Sequence, residues 1–218
     1  MSEGAGSWQC HEWRGTAQDF HAFDPPAERA AWWCRVDAPA LILGSSQTAD
    51  AVSVPCVSER GLEVVRRRSG GGVVYVHPDD SVWIDVTIPR TDPLWVDDVG
   101  RSMLWLGDVF VDALSPWVGG TVHTGGFDAG RSGRDVCFAS TSPGEVFVGP
   151  AKVVGISQRR TRDGARFQCV VYRRWAPAEW APCLASDSAR GAALSLQVAT
   201  VDAPADHIVS AVCSRLND

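Results

Sequence analysis

The spacing of apolar and polar residues along the chain predicts both strands and helices. Ala40–Gly44 is a continuous apolar run that ends in glycine, which is typical of a buried strand. Ser81–Pro89 alternates apolar with polar residues, which predicts a half-buried strand. Val96–Leu114 places apolar residues at helical spacing, which predicts a long helix with one side in the core.

Weaker patterns add shorter elements between these three. Asp163-Gly164 is a strong hairpin signal, so a strand at 165–172 should return antiparallel to one at 151–160. Residues 1–24 show no clear period, and residues 115–134 are typical of a surface loop. The remaining expected strands are 62–67, 73–76, 135–139 and 145–148. The expected short helices are 26–35, 54–60, 178–184 and 204–216.

Length and composition indicate one globular domain over residues 1–218, since 45% of the residues are hydrophobic and 21% are charged. The formal charge of −6 argues against general binding of nucleic acid or of anionic membranes. No apolar run approaches the length of a membrane span, and the first residues lack the pattern of a leader. We therefore expect a cytoplasmic protein.

The histidines and cysteines do not suggest a metal site. The seven cysteines are widely spread and include no Cys-x-x-Cys pair, which predicts reduced thiols without a zinc site or a disulfide frame. His11 and His21 have no third ligand at a recognisable spacing, so we expect them to be surface or packing groups.

Residues 66–72 read Arg-Arg-Arg-Ser-Gly-Gly-Gly, so three basic side chains lead into three glycines. Glycine lets a backbone approach a ligand closely and adopt positive φ, and successive amide groups in such a loop bind anions. The alternative is a flexible hairpin turn with solvated arginines. The segment is not a P-loop, because no Gly-Lys-Ser/Thr follows.

Lys152 is the only lysine, while the other 19 basic residues are arginines. It lies inside the apolar run of residues 147–155. An ammonium group on a flexible stem can enter a narrow pocket and contact one carbonyl or phosphate oxygen, which a planar guanidinium cannot do. The alternative is a lysine whose charged end simply reaches water.

These two segments together resemble the lipoate-protein ligase and lipoyl/octanoyl transferase superfamily. Val65–Gly72 is similar to that family's Arg-Arg-x-Ser-Gly-Gly-Gly loop, and Lys152–Gln158 is similar to its Lys-x-x-Gly-Ser-x-Gln strand. Ala40–Gln47 resembles a third segment, an apolar strand that ends in Gly-x-x-Gln. The resemblance implies an α+β fold, with a mixed and largely antiparallel sheet flanked by helices, as in biotin-protein ligases and class II tRNA synthetases.

The resemblance also implies roles for individual residues. Lys152 would contact the reacting carbonyl oxygen and a phosphate, where a preorganised cation stabilises the charge that develops during acyl transfer. No residue is assigned to a metal. The positions that the resemblance assigns to binding of the substrate or of an adenylate are Gln47, Arg66, Arg67, Ser69, Gly70, Gly71, Gly72, His77 and Gly155.

The chain departs from the ligase pattern at several positions. Pro150-Ala151 precede Lys152, where family ligases usually have Gly-Arg. Gln168-Cys169-Val170 stands where ligases often carry Gln-His-Gly. The spacing from Gly72 to His77 resembles that of the octanoyltransferases.

Cys137 supports a second mechanism within the same family. One group of the transferases carries a nucleophilic cysteine about fifteen residues before its lysine, and Cys137 lies fifteen before Lys152. Such a thiolate would accept an acyl group as a thioester and pass it on without ATP. Lys152 would then lower the pKa of the thiol. The alternative is that Cys137 is a small buried hydrophobic residue, and Cys169 is a weaker candidate for the nucleophile.

Three hypotheses follow. The first is a ligase that uses ATP and Mg²⁺ to activate lipoate or octanoate as an adenylate. The second is an ATP-independent octanoyl or lipoyl transferase with a Cys137 thioester, and the third is a non-catalytic protein that binds lipoyl groups.

The expected partners are lipoyl carrier domains of 2-oxoacid dehydrogenases or the glycine cleavage H protein. Whether the protein also needs an accessory chain is left open. The arginines of 66–68 and 159–166 would face an acidic carrier surface or, alternatively, only water.

Overall fold

The computed structural model describes residues 7–218. Its strands are β1 (Gln9–Gly15), β2 (Ala30–Val36), β3 (Ala40–Leu43), β4 (Glu63–Arg66), β5 (Val74–Val76), β6 (Ser81–Pro89), β7 (Thr121–Val122), β8 (Val146–Val148), β9 (Ala151–Arg160) and β10 (Gly164–Tyr172). Its α-helices are α1 (Ala17–Ala22), α2 (Val54–Glu59), α3 (Leu104–Leu114), α4 (Asp187–Ser195) and α5 (Ala205–Asn217). Short 3₁₀ turns cover Ala49–Ala51, Cys137–Ala139, Pro177–Glu179 and Ala181–Cys183.

Two sheets form the centre of the molecule. The larger one has the strand order β1-β2-β6-β10-β9-β8-β7, and all its pairs are antiparallel except β1 with β2. The smaller one has the order β4-β3-β5, with β3 parallel to β4 and antiparallel to β5. The expected α+β fold with a mixed, largely antiparallel sheet is confirmed.

The two sheets pack face to face, and helices cover their outer sides. One core lies between the large sheet and helices α3 and α5, and includes Ile84, Phe110 and Val212. A second core fills the space between the sheets and includes Trp83 and Val74. A third lies between the small sheet and the segments that carry α2 and α4.

Several expected elements are confirmed within one or two residues. They are β3, β9, β10 and the hairpin that joins the last two, α2 with Gly61 at its end, and α5. Gly61 has a φ of 60°, the left-handed conformation that ends a helix at glycine.

Other expectations were wrong. Residues 26–35 were expected to be helical, yet Ala30–Val36 is a strand between β1 and β6, since its two tryptophans and its valine favour a pleated, half-buried position. The long helix starts at Leu104, because the turn around Gly100 interrupts the apolar pattern. Ser81–Pro89 is buried on both faces except for its last residue. Residues 178–184 form 3₁₀ turns, and 135–139 form a bridge and a turn.

The expectation of seven reduced cysteines was also wrong. Cys10 is bonded to Cys213, and Cys56 is bonded to Cys183. Cys34, Cys137 and Cys169 are free. Sequence spacing could not show these pairs, because each joins segments more than 100 residues apart. Over residues 7–218, we find no helix with the length and apolar character that a membrane span requires.

Candidate active site between the two sheets

The glycine loop lies between β4 and β5, and close backbone contacts hold it in place. Gly71 has a φ of 100°, which only glycine adopts without strain. A Cβ atom at Gly44 would lie 1.8 Å from the Gly71 carbonyl oxygen, and one at Gly72 would lie 2.6 Å from the Val136 nitrogen. The loop therefore packs directly against the end of β3 and against the segment that leads to Cys137.

Gln47 braces the same arrangement. Its side-chain oxygen accepts a hydrogen bond from the Gly44 N–H at 2.9 Å, and its side-chain nitrogen donates to the carbonyls of Arg134 and Asp135. In this structure the side chain thus links the end of β3 to the segment before Cys137, a positioning role.

A small apolar cavity lies between the sheets, and side chains from both sheets line it. The small sheet contributes Ile42 and Val74, and the large sheet contributes Trp83, Val170 and Gly155. The other lining residues are His21, Arg67, Cys137, Phe138, Ile156, Ser157 and Gln168.

A wider opening adjoins this cavity. Ser69, Gly70 and Gly71 line it on one side, and the exposed apolar side chains of Val99 and Phe127 stand at its rim. Cys137, Ile156 and Ser157 line both spaces, so the wide opening and the apolar cavity meet at these three residues.

Cys137 is the free cysteine that reaches the cavities. Its side chain is partly exposed, and an Arg67 Nη atom lies 3.4 Å from its sulfur. Cys34 and Cys169 are buried, and burial raises the pKa of both thiols. Cys169 lies in the core under α3 and α5, away from both spaces, which does not support its role as a nucleophile.

Arg67 is a buried cation without a carboxylate partner among residues 7–218. Its side chain donates to the carbonyls of Gly70 and Gly72 and contacts the Cys137 sulfur. Its Nε atom is buried and has no hydrogen-bond partner. A buried charge without an opposite charge is costly, so this guanidinium favours an anionic group on a ligand beside it.

Lys152 is almost fully buried, and its ammonium group is already engaged. Its Nζ lies 2.8 Å from a Glu145 carboxylate oxygen and donates to the Cys137 carbonyl oxygen at 3.2 Å. Burial raises the pKa of Glu145, and the Lys152 ammonium opposes this rise. Neither cavity is lined by Lys152. Its expected contact with a reacting oxygen stays a prediction, and what the structure shows is that it holds the turn that carries Cys137.

A row of polar groups follows one wall of the apolar cavity. The Ser69 hydroxyl lies 3.3 Å from the Ser157 hydroxyl and 3.4 Å from the Gln168 side-chain oxygen. Gln168 pairs across the sheet with Asp85 of β6, which is buried against Arg166. These hydrogen bonds connect the glycine loop to β9 and β10 of the large sheet.

The structure separates some of the residues that the sequence grouped together. Arg66 is exposed at the end of β4 and lines neither space, whereas its neighbour Arg67 is buried. His77 lies in the turn after β5, near Asp80, and is also absent from both linings. Gly155 lies under the Phe138 ring, since a Cβ there would be 2.8 Å from the ring.

Sequence reasoning missed two residues of the site. Glu145 is the buried partner of Lys152, and the hairpin at Gly149-Pro150 was the signal that brings the two strands together. His21 packs on Trp83, which agrees with the expectation of a surface or packing group, and its imidazole also lines the apolar cavity. Nothing in its local sequence indicated this position.

Comparison with known proteins places the chain in a family. The model of the lipoyl protein ligase A/B catalytic domain matches residues 20–191. The octanoyltransferase LipM of Moorella thermoacetica is 31% identical over 139 residues, which cover 62% of this chain and 49% of that protein. The matched region thus spans about half the length of this curated relative.

Solved structures show the same fold. A bipartite lipoate protein ligase of Thermoplasma acidophilum superposes with a TM-score of 0.69 at 16% identity, over 96% of this chain and 82% of that one. A lipoate-protein ligase A bound with ATP gives a TM-score of 0.68 at 17% identity, over 95% and 82%. At these identities the structures establish the fold alone. Together with the family match over most of the chain, the comparisons show that this protein belongs to the lipoyl protein ligase A/B catalytic domain family.

Proposed function

We propose that this protein is an acyltransferase that holds an octanoyl or lipoyl group as a thioester on Cys137 and passes it to a lysine of a carrier domain. The observation that carries the proposal is the position of Cys137, which lines both the apolar cavity and the wide opening beside the uncompensated guanidinium of Arg67. The apolar side chains that line the cavity beside Cys137 suit contact with an acyl chain, and the opening gives donor and acceptor access to the sulfur.

The reaction has two balanced steps. The Cys137 thiolate attacks the carbonyl carbon of an acyl thioester, a carbon–sulfur bond forms, and the donor leaves as a thiolate that takes a proton from water. The neutral amine of the carrier lysine then attacks the new thioester. A carbon–nitrogen bond forms, the amine loses a proton to solvent, and the Cys137 thiolate returns to its place beside Arg67.

Three groups of this chain serve these steps. Arg67 is the cation in contact with the Cys137 sulfur, where its charge can stabilise the negative charge that develops on the reacting acyl group. The Lys152–Glu145 pair fixes the Cys137 carbonyl and so the turn that carries the nucleophile.

The name of the Moorella relative supports an octanoyl group, and the pairing of the Thermoplasma ligase with an E2 lipoyl domain supports a lipoyl carrier domain as acceptor.

The competing reaction is activation of free lipoate by ATP. The glycine loop favours it, since Ser69, Gly70 and Gly71 line the wide opening next to Cys137. Mg²⁺ with a nucleotide is usually held by one or two carboxylates. The linings of the two spaces contain one carboxylate, Glu145, and Lys152 already holds it. These residues do not fit Mg-ATP well, so we assign no step to it.

The test begins with the acyl-enzyme. The protein is incubated with an octanoyl thioester, and its intact mass is measured before and after hydroxylamine. We expect one hydroxylamine-labile acyl group on the wild type and none on Cys137→Ala. Transfer to a lipoyl carrier domain should fall at least roughly a thousandfold in Cys137→Ala. The matched control is Cys169→Ala, which removes a buried thiol outside the cavities and should keep the acyl-enzyme.

Further arms separate the alternatives. Arg67→Gln should slow acylation of Cys137, whereas Arg66→Gln, an exposed neighbour, should not. Transfer that persists in Cys137→Ala and needs ATP with release of pyrophosphate would favour the ligase instead. Binding of lipoate without any transfer to a carrier would favour the non-catalytic hypothesis.

A further inference from the structure

The apolar cavity contains a polar group that the proposed reaction does not use. His21 of α1 lines it, and the imidazole ring packs against Trp83 with 5.0 Å between ring centroids. The His21 Nε2 atom is buried and has no hydrogen-bond partner among the described residues. Seven side chains of the described part contain such atoms, but only His21 and Arg67 line this cavity.

His21 and the Phe138 ring pack on opposite ends of one row of residues in the large sheet. Gly155, Val170 and Trp83 are paired in one row across β9, β10 and β6. The Phe138 ring, next to Cys137 in the chain, packs over Gly155, whereas His21 packs on Trp83.

Two strand spacings, roughly 10 Å, separate the two ends of this row. An extended chain advances about 3.3 Å over three bonds, so an acyl group of eight carbons spans roughly 8 Å. An acyl group on the Cys137 sulfur that extends along this row would place its far end beside His21.

We propose that His21 is a specificity residue that favours acyl groups with sulfur at their far end, and so the lipoyl group over the octanoyl group. This inference rests on the proposed function. A buried nitrogen without a partner is costly, and a ligand atom that bonds to it removes part of that cost. A dithiolane sulfur accepts a hydrogen bond weakly, and a reduced dithiol can donate one, whereas the terminal methyl of octanoate does neither.

The surroundings keep the imidazole neutral, which this role requires. Burial lowers the pKa of His21 to about 3, with Arg166, Arg67 and Arg68 adding to the shift. A neutral ring can lie against an apolar tail, and either tautomer offers Nε2 as a donor or as an acceptor.

The test compares the two acyl groups on the same carrier domain. The kcat/KM values for lipoyl and octanoyl thioesters are measured in the wild type, His21→Leu and His21→Gln. We expect the lipoyl-to-octanoyl ratio to fall about fivefold in His21→Leu and to be largely kept in His21→Gln. The matched control is His11→Leu, which also removes a ring with an unpartnered Nε2, but one stacked on Trp32 outside the cavity. Its ratio should equal that of the wild type.

A binding measurement separates this inference from the proposed function. Calorimetric titration with free lipoate and free octanoate needs no transfer, so a lipoate preference that depends on His21 supports the inference even when no acyl-enzyme forms. Equal losses of affinity for lipoate and octanoate in His21→Leu, or a wild type that binds octanoate more tightly, would overturn the inference and leave the Cys137 mechanism intact. His21→Gln shows the effect of the polar atom if His21→Leu does not fold.

Discussion

At the scale of single residues, the buried pair of Lys152 and Glu145 gives the first prediction. Their side chains are 1% and 2% exposed, and removal of one partner leaves the other charge buried and uncompensated. Glu145→Gln should therefore lower the free energy of unfolding by roughly 3 to 5 kcal/mol, measured by urea denaturation. Glu145→Gln combined with Lys152→Met should recover part of this loss.

The control for this pair is an exposed one. Arg162 and Asp163 are 90% and 66% exposed, so Arg162→Ala should change the free energy of unfolding by less than about 0.5 kcal/mol. If Glu145→Gln had an equally small effect, the pair would not hold the turn that carries Cys137.

His21 gives a prediction for the pH dependence of stability. Its pKa is about 3 in the folded protein against 6.5 for the free side chain, so the unfolded chain binds more protons between these values. The contribution to stability is fully present above pH 6.5 and is lost as the pH falls toward 3. At pH 4.5 the loss relative to pH 7 should be roughly 2 to 3 kcal/mol.

His21→Gln removes the titrating group and isolates this contribution. Urea denaturation at pH 7 and pH 4.5 should show a smaller loss of stability for the variant than for the wild type, by that same amount. An equal loss of stability between pH 7 and pH 4.5 in the two proteins would mean that His21 is accessible to protons in the folded state.

At the scale of elements, the contact between Gly44, which follows the last residue of β3, and Gly71 of the glycine loop gives the third prediction. The β-carbon of an alanine at position 44 would lie 1.8 Å from a backbone oxygen of Gly71, and backbone cannot move aside as a side-chain end can. Gly44→Ala should therefore destabilise the protein by about 1 to 3 kcal/mol and slow acylation of Cys137 through displacement of the loop.

Gly191 is the matched control, because it lies in helix α4 with open space around it. Gly191→Ala should raise the free energy of unfolding by up to about 1 kcal/mol, since alanine has the higher helix propensity. Urea denaturation measures both variants, and equal effects at the two positions would contradict the packing described for the loop.

The elements also show which local patterns are reliable. Long apolar runs such as Ala40–Gly44, and the hairpin at Asp163-Gly164, are specified by their own residues and were predicted correctly. Ala30–Val36 was predicted wrongly because Pro25-Pro26 suggested a helix start, while pairing with two distant strands decides its conformation. The alternation in Ser81–Pro89 also predicted one exposed face, but the small sheet and α1 cover that face.

At the scale of the whole molecule, the candidate site joins segments far apart in sequence. The motifs gave the glycine loop, Cys137, Lys152 and Gly155, because each lies in a segment with its own recognisable pattern. The contact of Arg67 with the Cys137 sulfur, and the place of His21 in the lining of the cavity, depend on how α1 and the two sheets pack. No local pattern encodes such distances, so the cation beside the thiol was expected to be Lys152.

The two disulfides give the last prediction. The Cys10–Cys213 and Cys56–Cys183 bonds close loops of 203 and 127 residues, and each restricts the unfolded chain by roughly 5 kcal/mol in the loop-entropy model. A phosphine reductant should therefore lower the free energy of unfolding by several kcal/mol. Cys56→Ala with Cys183→Ala should reproduce about half of the effect without reductant.

Alkylation followed by mass spectrometry checks the pairing directly. In the unfolded, unreduced protein only Cys34, Cys137 and Cys169 should react, and in the native protein only Cys137, because the other two free thiols are buried. Reaction of all seven cysteines without reductant would contradict the disulfides. Rapid labelling of Cys169 in the native protein would contradict its burial, and would reopen the choice of nucleophile between the two thiols.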